Sequence, residues 1–225
     1  SFQATVDGGS GTLRRQSELG IDFRRTDTLF FTHIHTDHTL DLLHFLFASK
    51  YTPRFRRDRP VRVVGPPGFE AFLDRVRDPV VTWTDGGEAG IEVVEMKDGA
   101  DATFGPLCVR AVVLDHSVTN IGFRFTEPGG RSLVYTGDTA ACGAAVDLAR
   151  DAQVLVSECS GDGGHPMPGH LSAPEVGLLA AEASVDQVVL THLYPLPDDR
   201  IRVGEVARHY AGPVHLATDG TRFLV

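Results

Sequence analysis

Leu29-Phe30-Phe31-Thr32-His33-Ile34-His35-Thr36-Asp37-His38 is an apolar run that ends directly in three histidines and an aspartate. Four ligand-type side chains at the mouth of a strand are hard to explain as packing or as a solvated polar loop. Side chains of an extended segment repeat their direction every two residues, so His33 and His35 share a side. Asp37 and His38 fall where the chain turns into the apolar-striped stretch 40–47, and so face a second point. The spacing suits two adjacent metal ions rather than one. Imidazole nitrogen and carboxylate oxygen are donors for zinc or a similar divalent ion.

The same local pattern recurs three times. Residues 111–114 lead to Asp115-His116, 133–136 to Gly137-Asp138, and 188–191 to His192. Each is a strand-like run that delivers a ligand-type residue at its C-terminal end. If these ends converge, His33, His35 and His116 hold one metal, Asp37, His38 and His192 the other, and Asp138 bridges. A bridging carboxylate keeps two cations roughly 3.5 to 4 Å apart and leaves room for a shared hydroxide. Metal binding brings the pKa of that water to about 7, which makes a nucleophile available at neutral pH.

Bulk composition limits the alternatives. At 225 residues and 42% hydrophobic, residues 1–225 read as a single domain large enough for a full core. No apolar run approaches the roughly 20 residues that a membrane helix needs. A formal charge of −9 argues mildly against a surface built for nucleic acid. Cys108, Cys142 and Cys159 are scattered and odd in number, which fits neither a disulfide framework nor a Cys-x-x-Cys metal pair. A reducing cytoplasm is the simplest compartment. The sequence starts at Ser1 with no visible leader, and a leader or first strand upstream of it is expected to be missing.

Strand patterns fall at 2–6, 27–32, 61–65, 91–96, 107–114, 121–126, 132–136, 152–157, 187–191, 214–217 and 221–225. Helical patterns fall at 12–19, 40–48, 68–76, 173–183 and 203–210. Ser172, Pro174 and Glu175 form a good helix start. Consecutive strands in the middle, with strand and helix alternating at both ends, predict an α+β class. The expected architecture is two mixed sheets packed face to face with helices outside.

These motifs together resemble the metallo-β-lactamase superfamily. His33, His35, Asp37 and His38 match its His-x-His-x-Asp-His signature, and Asp7-Gly8-Gly9-Ser10-Gly11-Thr12 its early Asp motif. His116 with Gly122-Phe123-Arg124, Tyr135-Thr136-Gly137-Asp138-Thr139 and Leu190-Thr191-His192 match the later motifs. The resemblance covers nearly the whole chain and implies an αββα four-layer sandwich with a metal site at one edge. It also implies that Asp7 braces the metal loop rather than binding metal. The ribonuclease Z branch is most similar, because Gly169-His170-Leu171-Ser172 resembles its His-Ser-Thr element. Asp138 stands where well-known zinc β-lactamases carry Cys, which disfavours antibiotic hydrolysis.

Three departures stand out. Ser157-Glu158-Cys159-Ser160 replaces the branch's His-Glu-Ala-Thr, so a serine occupies the place of the acid histidine. The segment between His38 and His116 contains no Gly- and Pro-rich insertion of the kind that grips transfer RNA. The family's first strand is absent before Ser1, and Leu40 replaces a common Gly.

The expected activity is therefore a dinuclear metal hydrolase that uses a metal-bound hydroxide on a phosphodiester or ester. A small substrate such as a cyclic nucleotide is favoured over structured RNA. Zinc is the expected ion, with manganese and iron as alternatives. Asp37, Asp138 and His170 are the expected catalytic side chains, with His170 contacting the substrate oxygen and Glu158 orienting a ligand. His165 is a weaker candidate, and Arg54-Phe55-Arg56-Arg57-Asp58-Arg59 is either a phosphate contact or a solvated loop. Competing readings are a ribonuclease Z-like endonuclease, a di-iron redox protein and a non-catalytic metal-binding module. No membrane partner is expected, and the resemblance implies a homodimer.

Overall fold

Strands β1 (Ala4–Val6), β2 (Thr28–Phe30), β3 (Val61–Gly65) and β4 (Ile91–Glu95) build one sheet in the order β1-β2-β3-β4. Every neighbouring pair in it is parallel. The computed structural model describes residues 2–196 and 198–225. The chain forms two compact units, Ser1–Met96 and Lys97–Val225.

In the first unit each connection between strands carries a helix. α1 (Thr12–Glu18) follows β1, α2 (Thr36–Thr39) and α3 (Asp41–Tyr51) follow β2, and α4 (Phe69–Arg77) follows β3. Parallel neighbours require such crossovers, because a tight hairpin can only reverse the chain. This corrects the expectation that both sheets are mixed: the smaller one is parallel throughout. Strand β2 is buried along its length, and Val61, Val63 and Val64 of β3 are fully buried. A parallel sheet covered by crossovers favours such continuous apolar runs over alternation. Phe31, Leu42, Leu46 and Phe69 complete this core.

The second unit holds β5 (Asp101–Phe104), β6 (Leu107–Leu114), β7 (Asn120–Thr126), β8 (Ser132–Tyr135), β9 (Val154–Glu158), β10 (Gln187–Thr191) and β11 (Val214–Leu216). Their order is β11-β10-β9-β8-β7-β6-β5. Strands β5 to β8 pair antiparallel and β8 to β11 parallel, so this sheet is mixed as expected. The change of direction follows the connections. A tight turn, in which Gly130 N–H bonds Glu127 O at 2.8 Å, joins β7 to β8. Helices α5 (Gly143–Ala149), α6 (Ala173–Ala183) and α7 (Arg200–Val206) link the parallel strands. At the start of α6, Glu175 accepts from the backbone N–H and the hydroxyl of Ser172 at 2.8 and 2.6 Å. Leu155, Val176, Ala180, Leu190 and Val206 pack between this sheet and its helices.

The α+β class stands. Two elements correct the sequence reading. Residues 221–225 form no strand: Thr221 N–H turns back to Thr218 O at 2.9 Å, and Leu224 is 92% exposed. The last helix spans Arg200–Val206 rather than 203–210, and ahead of it the Asp198 carboxylate accepts the Arg200 N–H at 3.0 Å. β5 and α5 went unpredicted. Among the described residues no helix is long and apolar enough to cross a membrane.

Candidate metal centre

In the first unit, β2 runs through Phe31 and Thr32 into the ligand loop. His33 is fully buried, and its Nε2 lies 3.0 Å from His35 Nδ1. Two nitrogens that share a tetrahedral zinc at about 2.0 to 2.1 Å sit about 3.3 Å apart, so the alternating pair has the separation of co-ligands. Asp37 and His38 lie on α2, where Asp37 Oδ2 faces His38 Nε2 at 3.5 Å. The His33 and His38 ring centroids are 4.1 Å apart.

Asp7 holds this loop from behind. Its carboxylate accepts the His38 Nδ1–H at 2.8 Å and both the N–H and hydroxyl of Thr32 at 2.9 Å. That bond to Nδ1 directs the lone pair of His38 to Nε2. The turn after Asp7 must be glycine: a Cβ on Gly9 would stand 1.9 Å from the Asp37 carbonyl oxygen. Leu40, which replaces a family Gly, has ordinary helical angles and is 55% exposed, so that position needs no glycine.

In the second unit, three strand ends present the later residues. His116 follows β6 and donates Nδ1–H to Gly169 O at 2.9 Å; its Nε2 lies 4.0 Å from Asp138 Oδ2. Asp138 follows β8 after Gly137, whose φ of 60° is the left-handed turn that lets glycine deliver the next side chain. His192 follows β10 with a φ of 51°, uncommon for a non-glycine residue, and its Nε2 lies 3.5 Å from the same Asp138 Oδ2. Asp138 is 2% exposed.

His170 enters from the loop before α6. Its Nδ1 faces both oxygens of Glu158 at 3.1 and 3.0 Å, and its ring stacks on His192 with centroids 5.6 Å apart. Glu158 thus braces His170 directly, and Ser160 connects it to His192. Ser157 is fully buried and spends its hydroxyl on Glu158 O at 2.8 Å. His165 is turned to Asp162 at 3.0 Å with its side chain 86% exposed. Ser160 and the Gly169 carbonyl were not anticipated. Strand alternation offered a signal for Ser160, since 158 and 160 continue one face of β9.

The basic run is mostly committed elsewhere. Arg57 donates to Thr26 O at 2.9 Å and lies over the Phe45 and Phe55 rings, and burial pulls its pKa below the usual guanidinium value. Arg56 pairs with Glu88, and Arg59 with Asp27 at 3.0 Å. The adjoining cavity of about 540 Å³ is bordered by Lys50, Arg54, Arg56 and Arg57 and by Asp85 and Glu88, so its lining is more basic than acidic, with Lys50 and Arg56 paired to the two carboxylates.

Imidazoles with Nδ1 engaged and Nε2 directed at a buried carboxylate fit divalent metal chemistry. The His33–His35 separation supports the same conclusion.

A β-lactamase superfamily domain model matches residues 5–193. A Mycobacterium leprae protein of uncharacterised function is 32% identical over 96% of this chain and 75% of its own length. Ribonuclease Z of Myxococcus xanthus is 29% identical over 95% of this chain and 85% of its own. The metallo-β-lactamase fold protein YhfI of Bacillus subtilis superposes with a TM-score of 0.84 at 22% identity, covering 98% of this chain and 86% of that one.

Proposed function

Because the chain belongs to the metallo-β-lactamase superfamily, near its ribonuclease Z-like branch, we propose that it is a dinuclear metal-dependent hydrolase of phosphodiesters or esters. The reading takes residues 1–225 as one functional domain. His33, His35 and His116 would hold one ion and Asp37, His38 and His192 the second, with Asp138 shared between them. The observation that carries this is the Asp138 carboxylate: one buried oxygen stands before two imidazole nitrogens from separate strand ends, at 4.0 and 3.5 Å. When bound, a zinc pair supplies Lewis-acid polarisation and a water acidified to near neutrality.

The chain's own groups do the rest. The carboxylate oxygens of Asp37 and Asp138 orient the attacking water. His170, held through Nδ1 by Glu158, presents Nε2 and protonates the leaving oxygen. The proton donor is thereby taken from the 159–172 loop, since Ser157 is buried and occupied. A small substrate is favoured because the arginines of 54–59 are largely spent on internal contacts.

Ribonuclease Z-like cleavage of RNA is the second reading, supported by the Myxococcus relative. A panel of chromogenic phosphodiesters, esters, cyclic nucleotides and a transfer-RNA precursor, run with metal analysis, separates the two. Two metals per chain with turnover of small diesters supports the first reading. Full activity after exhaustive chelation defeats both.

A further inference from the structure

Glu158 is 1% exposed, and its carboxylate is enclosed by donors. Thr139 N–H bonds Oε1, His170 Nδ1 faces both oxygens, and the Ser160 hydroxyl bonds Oε2 at 2.7 Å. Ser160 is 3% exposed and lies between this carboxylate and the His192 ring. Its Oγ is 2.9 Å from His192 Nδ1 and 3.4 Å from His170 Nδ1, and 3.2 Å from the His192 carbonyl oxygen.

We propose that Ser160 is a positioning residue: it fixes the ring tautomer of His192 and ties that ring to the same buried carboxylate that holds His170. The proposal rests on the reading of His192 as a metal ligand.

The argument is a proton count. A serine hydroxyl has one proton and two lone pairs. Were that proton directed at His192 Nδ1, a lone pair of Oγ would face Glu158 Oε2 at 2.7 Å, and a buried anion would lose a donor. The proton therefore goes to Glu158. At His192 the Ser160 oxygen can then only accept, so Nδ1 carries the hydrogen and the lone pair of His192 lies on Nε2. Nε2 is the nitrogen that faces Asp138 Oδ2 at 3.5 Å. A hydroxyl that donates to a carboxylate is a better acceptor than an isolated one, because bonds in a chain polarise one another.

The backbone keeps the serine in place. Arg202, fully buried, donates to Ser160 O at 3.2 Å and to Tyr194 O, and pairs with Asp199. It thereby links the chain beyond β9 to the chain beyond β10, where His192 sits. The His170 and His192 rings are within 10° of parallel. One carboxylate charge thus serves two imidazoles, one directly and one through a hydroxyl.

The test uses ring ¹⁵N and proton NMR of the metal-free chain, with His192 assigned, for the native protein and for Ser160→Ala and Ser160→Thr. The native protein and Ser160→Thr are expected to show His192 with hydrogen on Nδ1. In Ser160→Ala the signal should move toward the Nε2–H form that unconstrained imidazole prefers. Metal titration of the same samples should show one of the two sites weakened by about 10- to 100-fold in Ser160→Ala and restored in Ser160→Thr. Circular dichroism checks that each variant is folded. An unchanged His192 tautomer in folded Ser160→Ala overturns the proposal, as does an Nε2–H form in the native protein. A native chain that takes up no metal defeats the hydrolase reading instead, and the tautomer comparison still decides the role of Ser160.

Discussion

The Asp7 carboxylate takes the Nδ1–H of His38 at 2.8 Å while the same side chain anchors Thr32, one residue before His33. One group therefore sets both ends of the ligand loop. Asp7→Asn keeps the backbone, since asparagine tolerates the φ of 51° found there. It removes the charge and leaves a weaker acceptor for Nδ1. Metal affinity should fall by about 10- to 100-fold with the fold retained. Competition against a chromophoric chelator measures this, and native affinity in Asp7→Asn would refute the bracing role.

Gly9 and Gly204 give opposite predictions for one kind of substitution. A Cβ at Gly9 meets the Asp37 carbonyl at 1.9 Å, and backbone cannot move aside as a flexible side chain would. Gly9→Ala should displace the loop, lowering both metal loading and the thermal midpoint. Gly204 lies in α7 with nothing within 4 Å of its added Cβ. Gly204→Ala should stabilise the chain by about 0.5 to 1 kcal/mol through helix propensity. Urea titrations of both variants measure the contrast.

The two sequence patterns that span only local distances were legible. Alternation in Thr32-His33-Ile34-His35 placed the His33 and His35 nitrogens together, and they lie 3.0 Å apart. The α6 start was readable because Ser172 and Glu175 satisfy one another within four residues. What escaped depends on distant partners or short elements. Arg202 lies outside the helical pattern read at 203–210, and it is buried because carbonyls of Ser160 and Tyr194, which no local pattern signals, meet it there. β5 spans only Asp101–Phe104 and depends on pairing with β6. Residues 221–225 have strand composition but no neighbouring strand to satisfy their backbone.

Arg57 and Arg54 separate fold from substrate contact. Removing Arg57 takes from the Thr26 carbonyl its 2.9 Å donor, while the Phe23 carbonyl keeps the Thr26 N–H, so Arg57→Ala should cost about 1 to 3 kcal/mol of stability. Among the described residues no carbonyl takes a bond from Arg54, and Arg54→Ala should stay within about 0.5 kcal/mol. If RNA is the substrate, Arg54→Ala raises KM for RNA and leaves small diesters unaffected. A KM for RNA that is the same in Arg54→Ala as in the native chain would remove Arg54 from substrate recognition.

Cys159 gives a pH-dependent signal without any metal. Its side chain is fully buried, and burial pushes the thiol up to about 12 from an ordinary value of 9.0. Thiolate is the species that alkylates. At pH 8 exposed Cys108 should therefore react with iodoacetamide in the folded chain, and Cys159 only in denaturant. The stability effect has a definite sign. Below pH 9.0 both folded and unfolded states hold the proton, so this site costs nothing. Above it the unfolded chain ionises while the folded chain does not, so stability falls with slope up to about 1.4 kcal/mol per pH unit as pH rises toward about 12. Other groups titrate in the same window, so the readout is a difference. The native chain should lose more denaturation midpoint between pH 9 and 11 than Cys159→Ala does. Parallel curves for the two proteins would show that burial does not hold this thiol protonated.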